Sequence, residues 1–168
     1  MSMNDTDFKL NDLVMHCREG LSTIVDTKVM GDNEYFLVKV KRGSGETIYV
    51  PKNRANAIIR HLMSEEEADE LLRYAKTIEK EFNSNTKQRR DAYKRKLSSG
   101  DIKEIAYLAT QLFFYERMGE DEREVRLGPV DIDMLSYASN MILDEAAIVF
   151  NVERDKIKDF LNERAKKL

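Results

Sequence analysis

Apolar residues alternate with polar ones through much of the first 60 positions and recur every three or four positions from Ser64 onward. Phe36, Val38 and Val40 alternate with Leu37, Lys39 and Lys41, which makes one face apolar and the other mixed. Ile48 and Val50 alternate with Thr47 and Tyr49, and Pro51 ends that run by withholding a backbone donor. Two earlier runs, 13–17 and 21–27, are broken at Glu19-Gly20, and Ile58-Ile59 suits a fifth, short strand. Met30-Gly31-Asp32-Asn33 and Arg42-Gly43-Ser44-Gly45-Glu46 supply turn chemistry between strands. Five short strands in 60 residues predict a small, twisted, partly closed β-barrel. Such a sheet keeps an edge unless something covers it.

From Ser64 the period is helical. Ser64 and Glu67 have capping-box spacing, and Ala68, Leu71, Ala75, Ile78 and Phe82 form one stripe. A polar break, Asn83-Ser84-Asn85, precedes a basic helix that ends at Ser98-Ser99-Gly100, with Gly100 as a left-handed cap. Asp101 opens the next helix with Glu104 as box partner, and Ile102, Ile105, Ala109, Leu112 and Phe113 line its buried side. A charged loop over 119–126 leads to Gly128-Pro129, where proline sits harmlessly in a first helical turn. Leu135, Ala138, Ile142, Ala146 and Val149 stripe that helix, and a short terminal helix follows from about Val152. The expected fold class is therefore α+β in two domains: a five-stranded barrel over 1–61 and a five-helix bundle over 62–168.

Charge changes this picture at one place. Residues 85–103 carry seven Lys/Arg against two Asp/Glu, a local net of +5 in a chain whose overall net is −3. Residues 62–84 sum to −4 and residues 104–168 to −5. A basic island in an acidic chain is an electrostatic footprint for a polyanion, nucleic acid above all; a solvated helix face is the competing interpretation. At 100° per residue, Lys87, Arg90 and Lys94 lie together, and Arg89 and Lys96 form a second flank across the Tyr93/Leu97 stripe. Contact with about four phosphates would give a log–log salt slope near −4 and a nonspecific Kd of only ~10⁻⁴–10⁻⁶ M. Such contact works best when another part of the molecule is tethered nearby, and strand addition to a sheet edge is a common tether.

Catalysis finds little support. His16 and Cys17 are neighbours, so on a strand they point to opposite faces, and His61 stands alone. Neither histidine has metal-ligand spacing, no phosphate-cradling glycine loop is present, and no cofactor or metal is expected. Glu65-Glu66-Glu67 and Glu120-Asp121-Glu122 suit helix starts and solubility. Glu145, at the edge of an apolar stripe, is expected to pair with an Arg or Tyr of a neighbouring helix. A single cysteine excludes an internal disulfide. With no signal-peptide-like start and no run long enough to span a membrane, a soluble, cytoplasmic monomer is expected.

The order of these parts resembles the CarD/CdnL family of bacterial transcription regulators, from about Phe8 to Leu161. The start from Phe8 to Val14, Glu19-Gly20, Tyr35-Phe36-Leu37-Val38 and Ile48-Tyr49-Val50-Pro51 follow in family order. So do Lys96-Leu97-Ser98-Ser99-Gly100-Asp101, Leu127-Gly128-Pro129-Val130-Asp131, and Met134-Leu135 through Ala138, Ile142, Glu145 and Ala147. The resemblance implies a Tudor-like barrel that binds the β subunit of RNA polymerase and a helical domain that touches promoter DNA, stabilising the open complex. The polymerase contact would fall on Lys28 and Tyr49, with Lys39 and Lys41 beside them. The DNA contact would fall on the basic helix, chiefly Lys87, Arg89 and Arg90, with Lys94, Arg95 and Lys96 following. Two departures bear on this: Thr86 stands where the well-studied branch places a wedge tryptophan, and Tyr49 where a cation makes the polymerase contact. A polymerase-binding adaptor whose helical half recruits a protein remains the alternative.

Overall fold

The computed structural model describes residues 7–168. The described chain divides into two compact units that part between Leu62 and Met63. In the first, five strands run β1 (Leu13–His16), β2 (Gly20–Met30), β3 (Asn33–Val40), β4 (Thr47–Pro51) and β5 (Ile59–His61). A one-turn helix, α1 (Ala55–Ile58), precedes β5 and takes Ile58 out of the expected fifth strand. The sheet order is β4-β3-β2-β1-β5, all antiparallel. β4 and β5 do not pair, so the expected barrel is instead an open sheet with two edges.

Alternation explains its core. Val14, Ile24, Phe36, Val38 and Val50 face inward and pack with Phe8, Ala55 and Ile59. The Phe8 ring stacks on His61 at 4.6 Å. A bulge between Ile24 and Asp26 shifts the β2–β3 register, after which β2 continues as an exposed ribbon with Val29 68% accessible. Gly31 turns that ribbon at φ +63°, a conformation costly for other residues.

The second unit holds five helices: α2 (Glu65–Ala75), α3 (Thr86–Ser98), α4 (Ile102–Arg117), α5 (Pro129–Val149) and α6 (Ile157–Lys166). With α1 the described chain thus has six α-helices. The Ser64–Glu67 capping box is formed in both directions, and Gly100 adopts φ +71°. At α4 the reciprocal box is not made. Asp101 accepts from the Lys103 N–H, while Glu104 is occupied by Lys96.

The first helix is shorter than its stripe. α2 ends at Ala75, and residues 78–85 form a strap without regular secondary structure. Gln111 of α4, fully buried, explains this segment. Its Oε1 accepts from the Glu81 N–H at 3.0 Å, and its Nε2 donates to the Glu79 carbonyl at 2.8 Å. One side-chain amide therefore satisfies the strap as a neighbouring strand would. The strap's Phe82 meets the Tyr115 ring edge-on at 5.7 Å.

Tyr93, Ile105, Leu108, Leu112, Leu135, Ala138 and Met141 form the core between α3, α4 and α5. The α6 side is closed by Ile157 against Leu143, Ala146 and Ala147. The α6 helix starts at Ile157, five residues later than the period suggests, after turns at the end of α5. Glu145 is fully buried, and its Oε2 accepts from the backbone N–H of Met63 at 2.8 Å, a bond that spacing alone does not reveal. The Tyr93 hydroxyl is buried without a hydrogen-bond partner among the described residues, and burial pushes its pKa up to about 12. Tyr93→Phe is therefore expected to be neutral or stabilising, by up to about 1 kcal/mol, in thermal or urea unfolding. A loss above that range would reveal a partner for the hydroxyl.

Candidate functional site

The two candidate surfaces belong to different units, and each follows from local geometry. On the sheet, the Val40 N–H donates to the Glu46 carbonyl at 2.9 Å. The alternation of an antiparallel ladder then turns the backbone groups of Thr47 and Tyr49 outward, away from β3. Among the described residues β4 thus presents an unpaired edge, and Pro51 ends it.

Side chains on the outer face flank that edge. Lys28 lies opposite Tyr35 and Leu37 opposite Tyr49, placing all four on one face. The Tyr35 and Tyr49 rings are 6.2 Å apart, and Lys28 Nζ lies 5.7 Å from the Tyr49 centroid. Lys39, opposite Thr47, shares this face and is exposed; Lys41 is exposed just beyond β3. The structure therefore brings Lys28, Lys39 and Tyr49 onto one surface, with Lys41 at its end. Tyr35 is the member that sequence reasoning passed over, although its two-residue spacing from Leu37 carried the signal.

The basic helix is less uniform than its sequence. Asn85 caps α3 by accepting from the Gln88 N–H at 3.0 Å. Arg89, expected to face DNA, is only 4% exposed. Its Nε and Nη2 donate to the Asp131 carboxylate at 3.1 and 2.9 Å, and Nη1 donates to the Asn83 carbonyl at 2.8 Å. It is a structural cation tying α3 to the strap and to the start of α5. Lys96 is also drawn inward, with Nζ 2.7 Å from Glu104 and 4.4 Å from the Tyr107 centroid. The expected second flank, Arg89 with Lys96, is therefore spent on packing.

The first flank stays outside. Lys87 is 86% exposed and pairs with Asp91 at 2.9 Å, an i,i+4 surface contact of small value. Lys94 and Arg95 are exposed and make no ion pair among the described residues. Arg90 is intermediate. Its side chain is 34% exposed, and its Nε and Nη2 reach Asp131 at 3.3 and 3.4 Å.

Asp131, wholly buried, is the centre of this arrangement. It accepts from Arg89, Arg90 and the Gly128 N–H, the last at 2.9 Å at the start of α5. Burial pushes its pKa up, but the two arginines and the backbone bond outweigh this and hold it at about 2, below the usual 3.8. From sequence Asp131 reads only as an acid in the first turn after Gly-Pro. The Arg89 position was more legible, since it lies four residues before Tyr93 and so on the docked stripe.

Elsewhere, His16 accepts from the backbone of Arg18 and Glu19 at its Nδ1, closing the turn after β1. Burial first lowers its pKa and favours the neutral ring that this role requires.

The comparisons with known proteins cover both units. The CarD C-terminal domain matches residues 70–162, and the CarD-like/TRCF RID domain matches residues 8–63. The chain belongs to the CarD family. The first unit of this CarD-family protein is Tudor-like, and its domain pair is that of a transcription-related, RNA-polymerase-interacting protein. Both candidate surfaces, the β4 edge and the exposed side of α3, fall within the matched segments.

Proposed function

We propose that this CarD-family protein docks on the β subunit of RNA polymerase through the β4 edge and contacts promoter DNA through the exposed side of α3, modulating open-complex stability. The observation that carries the proposal is the unpaired edge itself. The backbone of Thr47 and Tyr49 faces outward beside Lys28, Tyr35, Lys39 and Tyr49, a surface suited to β-augmentation. Lys41 extends its positive charge. On α3 the phosphate-facing set is Lys87, Arg90, Lys94 and Arg95, with Arg89 and Lys96 holding the helix in place. In this reading the protein is a noncatalytic monomer of the cytoplasm and nucleoid.

Thr47→Pro tests the docking half. Proline removes one outward donor at the start of an edge strand and leaves the ladder to β3 intact. The variant is expected to keep its stability within about 1 kcal/mol and to lose capture of the purified β subunit in a pull-down. Retained capture by the folded variant would contradict edge docking.

The adaptor reading draws on the cations already paired within the protein: Arg89, Lys96 and Lys87. It predicts DNA association with little dependence on salt.

A further inference from the structure

We propose that Arg90 is a preset phosphate-binding arginine, held along one edge of its guanidinium by the buried Asp131 carboxylate and offering the other edge to a phosphodiester. Asp131 is thereby a positioning residue. This deepens the reading of α3 as the DNA-facing helix and rests on it.

A guanidinium has two bidentate edges, and the structure uses only one. Nε and Nη2 of Arg90 point to Asp131, whereas Nη1 has no partner among the described residues. A third of the side chain is open to solvent. The Nη1/Nη2 edge is consequently free for an anion, in an orientation set before binding. Asp131 can hold this position because its charge is already secured by Arg89 and Gly128. Its bonds to Arg90 are longer, so Arg90 can lean towards a phosphate without stranding a buried carboxylate.

Gly128 packs its open side against this guanidinium. Its backbone, at φ −82° and ψ 176°, suits any residue, so glycine is not required by conformation. A Cβ at this position would lie 3.3 Å from Arg90 Nη2. The absent side chain makes room for Arg90.

The test measures binding of the full chain to a labelled DNA duplex across a salt series. Arg90→Lys keeps the charge and loses the fork. It is expected to weaken binding about tenfold, with the slope changed by less than about one and thermal stability unchanged. Gly128→Ala should weaken binding in the same direction by less. The informative variant is Arg89→Met with Asp131→Met, which removes the holder together with its buried partner and leaves Arg90 in place. If Asp131 positions Arg90, this variant loses affinity. If Arg90 acts only as a free charge, removing the carboxylate beside it tightens binding, the opposite sign. Tightened or unchanged binding in the double variant, or wild-type affinity in Arg90→Lys, overturns the proposal. Should the double variant fail to fold, Arg90→Lys and Gly128→Ala decide alone. Lys94→Ala with Arg95→Ala separates the two readings: weakened binding there beside unaffected Arg90 variants overturns only the preset arginine. Unaffected binding in every variant overturns the DNA reading with it.

Discussion

Asp131→Ala is expected to destabilise the helical unit by about 3–5 kcal/mol, because it leaves the buried Arg89 guanidinium without its carboxylate. Four bonds to arginines of α3 and one to the Gly128 N–H at the start of α5 lose their common acceptor. Acid should have a related effect on the wild type. The folded-state pKa of Asp131, about 2, lies below its ordinary 3.8, so its ionised form is favoured by folding. That contribution is fully present above the unfolded value and is lost as pH falls through the folded one. Urea unfolding of wild type and variant should therefore differ most near neutrality and converge as pH falls from about 4 towards 2. A gap that stays constant down to the folded pKa would show that the carboxylate charge is not what Arg89 depends on.

Gln111→Leu is expected to cost about 2–4 kcal/mol, since it strands the Glu81 N–H and the Glu79 carbonyl at once. Its consequence reaches α3, because the strap ends at the Asn83 carbonyl that accepts from Arg89 and at the Asn85 cap. Hydrogen exchange should rise at Glu81 and in the first turn of α3 before it rises in α4. Unchanged protection at Glu81 would show that the strap is held by its apolar contacts, such as Phe82 on Tyr115.

These two residues also mark where sequence and structure part. Strands were legible wherever one face was buried, as in Phe36, Val38 and Val40. The exposed end of β2, from Val25 to Met30, was missed in part because a ribbon solvated on both faces carries no alternation. Closure into a barrel was not encoded at all: it depends on whether β4 and β5 pair, and both runs look the same either way. Ile78 and Phe82 continued the α2 stripe in period, yet an irregular strap half-buries both without helical periodicity. Gln111 decided between them from 30 residues away.

The candidate site shows the same division. The cationic island was evident from charge, and an available sheet edge was expected of any small sheet that does not fully close, though not which strand forms it. Which arginine faces outward was harder to see. Arg89 and Arg90 are adjacent, and only the docking of Tyr93 and the position of Asp131 send one inward and leave the other at the surface.

The most direct measurement of the central claim is the salt dependence of DNA association by the full chain, compared with Lys87→Ala, Lys94→Ala and Arg95→Ala combined. Three exposed cations together with the partly exposed Arg90 on phosphates predict a log–log slope of about −3 to −4, falling to about −1 when only Arg90 remains. A wild-type slope near zero, or a slope that the triple variant leaves unchanged, would contradict the assignment of α3 to DNA.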